Sequence, residues 1–330
     1  MLLHQLTICS VSYRHSRYIL ESIALIKTLN PNIKLKWLIV NNTAEDDSFD
    51  DVVKYNDTYN IQIINGPSNN FEGPGKGSKH HAAGLDLIVS HAKTRFVLIL
   101  DPDFYLIMPN WAERIIEYMI QNNIALFGVP WHPKWSIKWR YFPCPHCLLV
   151  DTKYINLSSF SFMPDFKNAE SLNIWERFLS KMPFVHCRVY IGCSKDTGYQ
   201  MYKSYFDSSK IRYALAAPSF SRTDLHNRYN KYNRILVDLW FLFNKALDKV
   251  FPESMSVFPK RKDYFTETCF SDLGLPDCKR FGWEEFFWNK EPFSFHIRGL
   301  QQKPEERHIE MERICNVLKI FTNRTESVEV

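Results

Sequence analysis

Two aspartates close the apolar run FVLILDPDF: Asp101 and Asp103, with Pro102 between them. In an extended backbone residues i and i+2 face the same side, so the two carboxylates are expected to point together, with Pro102 ending the hydrogen-bond ladder. Adjacent carboxylates repel, and a divalent cation relieves that repulsion most directly. Oxygen donors at a strand end suit Mg²⁺ or Mn²⁺, and such an ion recruits phosphate oxygens. The plain alternative is one aspartate capping a turn and the other simply solvated.

Upstream, GPGKGSKHHAAGL joins a glycine-rich loop to a helix start. Ser78 is suited to cap that helix, and Lys79, His80 and His81 fall in its first turn, where free amides hold anions. The phosphate-loop pattern GxxxxGK[ST] and the dinucleotide pattern GxGxxG are both absent here. A surface turn with solvated cations would have the same composition.

The elements that must position these groups follow from periodicity. LTICSVS reads as a strand, and SRYILESIALIKTLN follows it with Tyr18, Ile19, Ser22, Ile23, Ile26 and Leu29 at helical spacing. LKWLIVNN and IQIIN read as two more strands, with the polar TAEDDSFDD between them as a loop or a helix start. HHAAGLDLIVSHA places His81, Leu85 and Ile88 on one helical face and leads into RFVLIL, an unbroken strand that implies a sheet covered on both faces. A helix is expected from Asn110, whose side chain would cap the amide of Glu113, and IALFGVP supplies the next strand. Alternating strands and helices predict an α/β layer structure with a mostly parallel sheet. Ligands in such sheets sit beyond the carboxyl ends of the strands, where Asp101 and Asp103 lie.

Beyond residue 130 the rhythm breaks. WHPKWSIKWRYFPCPHCLLVDTKYI reads as loops returning to a strand at Cys147 to Asp151. Its aromatic residues Trp131, Trp135, Trp139, Tyr141 and Phe142 could serve as core or as a stacking platform. SLNIWERFLSKM, DTGYQMYKSYF and YNRILVDLWFLFNKALDKVF look helical, IRYALAA looks like a strand, and Lys303 to Thr322 reads as a last helix with Met311, Ile314, Leu318 and Phe321 on one side. The boundaries expected are a catalytic core over 1–217 and a helical extension over 218–330 that packs on the core and closes the site.

Composition excludes several classes. The chain has 330 residues, 45% hydrophobic, enough for a large core, and 41 Lys+Arg against 36 Asp+Glu leave a mild net charge of +5. There is no clustered basic run of the kind that binds a duplex. No segment approaches the roughly 20 apolar residues of a membrane span, and no cleavable leader is recognisable, so a cytoplasmic protein is expected. The eight cysteines are scattered. Cys144 and Cys147 form CPHC, and with His186, Cys187 and Cys193 a zinc site is conceivable, although a second CxxC is missing.

The order LTICSVSYRHSRYILESI, LKWLIVNNTAEDD, GKGSKHHAAGL, FVLILDPDF resembles the nucleotide-sugar-binding half of GT-A glycosyltransferases, especially those similar to glycosyltransferase family 2. The likeness covers roughly residues 5 to 217, and ILDPDF is its most specific element. It implies a Rossmann-like sheet, a nucleoside-diphosphate sugar donor, Mn²⁺ or Mg²⁺ at the Asp-x-Asp, and transfer to a hydroxyl of a glycan or lipid-linked acceptor. Asp103 would then be the principal metal ligand, and Asp101 would face the ribose or share the metal. The family's second strand often ends Val-Asp-Asn, whereas here it ends Val40-Asn41-Asn42, which puts a uracil-specific role in doubt and leaves Asn41 and Asn42 as base or turn residues. The resemblance also implies a C-terminal histidine on the metal. His296 in PFSFHIRGL fits that place, with Arg298 on the same side of an extended segment to brace the diphosphate.

An inverting enzyme needs a carboxylate to take the acceptor proton. Asp196, in a glycine-flanked turn at a helix start, is the candidate and also a satisfactory N-cap; Asp165 is the reserve, and a retaining enzyme would need neither. A sugar nucleotidyltransferase is the rival enzyme. It would carry a glycine-rich loop after the first strand, where this chain has SVSYRHSRY. An inactive, glycan-binding relative is the other rival. The helix with Trp240, Phe241 and Phe243 could pack in the core or touch a membrane face from its cytoplasmic side.

Overall fold

The computed structural model describes residues 5–42, 49–67, 71–72, 75–135, 138–167, 172–182, 185–192, 195–221, 223–224, 234–251, 256, 258–298 and 304–326. Its strands are β1 (Gln5–Ser12), β2 (Lys34–Asn41), β3 (Ile61–Asn65), β4 (Phe96–Leu100), β5 (Phe104–Leu106), β6 (Leu126–Pro130), β7 (Pro143–Asp151), β8 (Tyr213–Leu215), β9 (Ala217–Pro218), β10 (Glu284–Trp288) and β11 (Glu291–His296). The helices are α1 (Ser16–Leu29), α2 (Asp50–Lys54), α3 (Asn56–Tyr59), α4 (Lys76–His91), α5 (Trp111–Asn122), α6 (Ile174–Ser180), α7 (Val185–Tyr190), α8 (Tyr199–Tyr205), α9 (Arg234–Leu247) and α10 (Pro304–Glu326). Of TAEDDSFDD, only the last three residues lie within the described part.

A seven-stranded sheet in the order β3-β2-β1-β4-β7-β6-β8 forms the centre. β3, β2, β1 and β4 run parallel, and β7 enters antiparallel between β4 and β6. The α/β, mostly parallel layer expected from the alternation is present. β4 is buried along its whole length, as an unbroken apolar strand in a doubly covered sheet should be.

A second sheet, β5-β11-β10-β9, is antiparallel throughout. To the helices expected after residue 217 the structure therefore adds a hairpin, β10–β11, which pairs with β5 from the first half of the chain. Met311, Ile314, Leu318 and Phe321 of α10 are all buried, as their spacing requires, in a cluster with Tyr18, Leu25 and Leu29 of α1 and with Tyr105 and Phe295 of the small sheet. Helix α1 is thus apolar on two faces, one toward the large sheet and one toward α10. Among the described residues no helix is long and apolar enough to cross a membrane.

Two capping expectations are corrected. Asn110 sits at φ 52° and makes no side-chain cap, because a left-handed N-cap residue cannot aim its amide at the first turn. The role passes to Asn30, just past α1, whose Oδ1 accepts from Ala112 N at 2.9 Å while its Nδ2 donates to Ile26 O at 2.9 Å. One buried amide thereby closes α1 and opens α5. Asn30→Ala is expected to cost about 1–2 kcal/mol, read from the midpoint of urea unfolding. Ser78 also does not cap α4, which starts two residues earlier, after Gly75 at φ 72°. A Cβ at Gly75 would lie 2.5 Å from the Phe166 ring, so glycine is required there by both conformation and space.

Candidate active site

The site is assembled by strand register. β7 is antiparallel to β4 with Cys147 opposite Leu100, so the next pair is His146 and Asp101, joined by Asp101 N donating to His146 O at 2.9 Å. Asp101, Pro102, Asp103 and Phe104 form a turn, closed by Phe104 N to Asp101 O at 3.1 Å. The aspartates are therefore not on one face of an extended strand; Pro102 fits the second position of the turn and separates them. β5 starts directly after the turn and pairs with β11, Phe104 opposite His296, while Ile297 N donates to Asp103 O at 3.0 Å. β10 then places Glu284 opposite His296.

The two aspartates converge through histidines. Asp101 Oδ2 accepts from His146 Nδ1 at 2.5 Å, and its Oδ1 lies 3.3 Å from His81 Nε2. Asp103 Oδ1 lies 3.3 Å from His296 Nε2, and His296 Nδ1 is 3.1 Å from Glu284 Oε2. The rings of His146 and His296 are 4.8 Å apart. Arg298 Nη2 donates to His146 Nε2 at 2.7 Å, which assigns the proton of His146 to Nδ1, facing Asp101. Its guanidinium also lies 4.6 Å from the Trp131 ring and 4.9 Å from that of Trp135.

The electrostatics divide the histidines. Burial and the Arg298 charge push His146 down to about 4, so it is neutral at pH 7. Burial acts the same way on His296, but the carboxylates of Asp103 and Glu284 outweigh it and raise the group to about 9. His81 is raised as well, Asp101 overcoming the effect of burial. Burial opposes the ionisation of Asp101, yet His146 and His81 hold it well below the usual carboxylate range. Glu284 is also held low against burial by Lys134 and Arg298.

Of the residues singled out from the sequence, Asp101, Asp103, His81, His296 and Arg298 are brought together. Asp196 adjoins them: its carboxylate pairs with Lys138, accepts from Thr197 N at 2.8 Å and is hydrogen-bonded by the Ser78 side chain. Lys138 in turn lies 4.8 Å from the Trp131 ring, whose edge faces His146 at 4.5 Å between centroids. Although burial pulls the other way, Lys138 and these hydrogen bonds lower the Asp196 pKa. Asp165 is partly exposed and paired with Lys195 at 3.1 Å.

Asn41 ends β2 and Asn42 follows it, β2 being separated from β4 by β1. The Asn42 amide donates to His80 O at 3.0 Å, tying β2 to α4. Lys79 is half-buried in the first turn of α4. His80 makes a T-shaped contact with Phe71, the ring centroids 5.0 Å apart.

Sequence reasoning passed over His146 and Glu284. His146 was hidden inside CPHC, where the cysteines drew the metal reading. Cys144 and Cys147 are buried thiols whose pKa burial pushes far up, as in an ordinary core, and Cys193 lies outside the described residues. His186 pairs with Asp248 at 2.7 Å. Trp131, Trp139, Tyr141 and Phe142 are core residues, whereas Trp135 is half-buried. Trp135 lines a cavity of about 270 Å³ with His132, Lys134, Lys279, Trp283 and Arg298, adjoining the aspartate and histidine cluster through Arg298.

A divalent cation fits this donor set once Arg298 gives up His146 Nε2, the nitrogen that carries no proton. Asp101, His146 and His296 each offer one ligand atom, all within 4.8 Å of one another, and Asp101 Oδ1 faces His81 Nε2 at 3.3 Å. Two imidazoles and a carboxylate suit Mn²⁺ better than Mg²⁺, which prefers oxygen alone. Asp103 touches the set through His296.

No family model matches the chain, and no curated protein matches it. Among solved structures several show a partial likeness to the chain. One is S. aureus TarS in complex with UDP-GlcNAc, 16% identical with a TM-score of 0.36 over 51% of each chain. Another is the mannosyltransferase PcManGT from Pyrobaculum calidifontis in complex with GDP-Man and Mn²⁺, 13% identical with a TM-score of 0.38 over 50% of this chain and 49% of that one. A third is the mannosyltransferase Ktr4p from S. cerevisiae, 13% identical with a TM-score of 0.34 over 46% and 57%. The matches span about half the length of these proteins, and likeness at this level carries nothing about the site.

Proposed function

We propose that the protein is a metal-dependent glycosyltransferase that moves a sugar from a nucleoside-diphosphate donor to a hydroxyl of a glycan or lipid-linked acceptor. The observation that carries this reading is the convergence of Asp101, His146 and His296 beyond the carboxyl end of β4, ringed by Arg298, His81 and Lys134. Carboxylate and imidazole donors beside an arginine and a helix N-terminus form a site for a diphosphate. A bound Mn²⁺ would supply Lewis-acid charge against the leaving diphosphate.

The chain's own groups divide the remaining work. Arg298 holds the His146 ring through Nε2; with that nitrogen on a cation, the guanidinium would be free to face the phosphate oxygens together with the first turn of α4. Asp103 bears on the site through His296. Asn41, at the end of β2, stays the candidate to meet the base of the donor, beside Asn42 and Lys79. Asp196, kept ionised by Lys138, takes the proton of the acceptor hydroxyl as the new C–O bond forms. The bond from the sugar carbon to the diphosphate oxygen breaks, its electron pair leaving with the nucleoside diphosphate, and the sugar carbon inverts.

Incubation with a panel of nucleotide sugars and Mn²⁺ tests the reading. Slow, metal-dependent release of nucleoside diphosphate is expected; glycan binding without hydrolysis or binding of any donor would sink it in favour of an inactive relative. Synthesis of a nucleotide sugar from a sugar phosphate would favour the nucleotidyltransferase instead.

Metal uptake should depend on pH. The His296 proton, with a pKa of about 9, must leave before Nε2 can serve a cation. Mn²⁺ affinity should therefore rise with pH, by about tenfold per unit below that value, and titration calorimetry at pH 6, 7 and 8 in buffers of different ionisation heat should register one proton released.

A further inference from the structure

Helix α9 is apolar on both sides. Val237, Phe241 and Asn244 face inward, the first two against Phe220 with Phe258 and Phe265 packed beside them. The opposite side carries Ile235, Leu239 and Leu242 at the same i, i+4, i+7 spacing, 70%, 47% and 64% exposed, with Phe243 beside them at 58%. A surface helix normally turns charged residues outward, so an outward row of large aliphatic and aromatic groups signals a surface that something covers. Helix α7 packs against both α6 and α9, and the buried pair of His186 and Asp248 fixes it to the end of α9. On α6, begun by the Asn173–Glu176 capping box, Trp175 is 72% exposed and Phe178 55%.

The charges around these helices indicate what covers them. Arg177, Lys181, Arg188, Lys245 and Lys249 are exposed on α6, α7 and α9 or at their C-terminal ends, and Asp238 is the one exposed acid among the described residues there. Glu176 and Asp248 are turned inward and paired with Lys167 and His186. A second copy docking through a twofold axis would lay this surface against itself and crowd cation against cation. Large aliphatic and aromatic groups, including an outward tryptophan, set among an excess of lysine and arginine instead match the interface of a bilayer with anionic headgroups.

We propose that α9, with α6 beside α7, is a membrane-docking surface that seats the protein on anionic lipid. This stands apart from the proposed activity and can fail or hold without it.

Cosedimentation of the full chain with vesicles of phosphatidylcholine alone, or with phosphatidylglycerol added, tests it. Binding is expected on the anionic vesicles, weakened by high salt. The triple variant Leu239→Gln, Leu242→Gln, Phe243→Gln should lower it roughly tenfold or more with little change in Tm, since all three side chains are exposed. Lys245→Glu with Lys249→Glu should remove most of the preference for anionic over neutral vesicles. Absence of binding to either vesicle, or equal binding by the triple variant, overturns the proposal. So does a wild-type dimer in light scattering that the triple variant turns into a monomer without any vesicle binding, which would make the apolar face an interface between copies.

Discussion

Asp101→Asn is expected to cut Mn²⁺-dependent release of nucleoside diphosphate by about a hundredfold to a thousandfold, the scale of losing one preorganised charge-stabilising group. The carboxylate occupies the middle of the cluster, between His146 Nδ1 at 2.5 Å and His81 Nε2 at 3.3 Å, and supplies the one anionic donor of the converging set. Asparagine keeps the shape but offers a weaker neutral oxygen, and its amide would face the Nδ1–H of His146 or His81 with a donor of its own. Because Asp101 also raises His81, the variant should lower the pKa of that imidazole, which NMR titration of the histidine resonances can follow independently of turnover. Retention of a third of the wild-type rate, with circular dichroism unchanged, would remove Asp101 from the machinery. The metal dependence of nucleoside diphosphate binding, read by thermal shift, should disappear in the same variant.

Glu284→Gln should produce the largest loss of stability. Glu284 is 1% exposed and meets four partners: Lys134 and Arg298 at 3.3 Å, His296 at 3.1 Å and Trp135 Nε1 at 2.5 Å. Neutralising one member of a buried ionic cluster leaves the others uncompensated, a cost of about 3–5 kcal/mol and roughly 5–10 °C in Tm for a chain of this size. Lys134 retains Gly282 O and Arg298 retains His146, so the lower end of the range is expected. The pH dependence has a definite sign. The folded-state pKa of Glu284 lies below its ordinary 4.5, so its contribution is fully present above that pH and is lost as the pH falls through the depressed value. Wild type should therefore lose stability on acidification below about pH 4.5 more steeply than Glu284→Gln, and the two unfolding curves should converge there. Parallel curves would show that the carboxylate is not the hub.

Both experiments bear on residues of different visibility. Asp101, Asp103 and the cation-rich start of α4 are local: an unbroken apolar strand ending in acids, and a glycine loop opening a helix, announce themselves in a single stretch of chain. His296 stood out only through the family resemblance, which implies a C-terminal histidine, and Arg298 followed because it lies two residues on along the same extended segment. The parallel half of the sheet was legible for a related reason, since alternating periodicities of two and of 3.6 residues depend on the sequence nearby.

What only the tertiary structure decided is which distant segments meet. His146 enters the site because β7 runs antiparallel to β4 with Cys147 opposite Leu100; a shift of one residue would turn His146 away and present a cysteine. Glu284 lies in WEEFF, where nothing marks one glutamate from its neighbour Glu285, until the pairing of β10 with β11 sets it opposite His296. Asn30 caps a helix more than eighty residues away, and Pro102 closes a turn where an extended chain was expected. Short-range spacing dictates which side chains share a face, whereas register between strands remote in sequence is settled by the packing of whole layers, and this site is built from register.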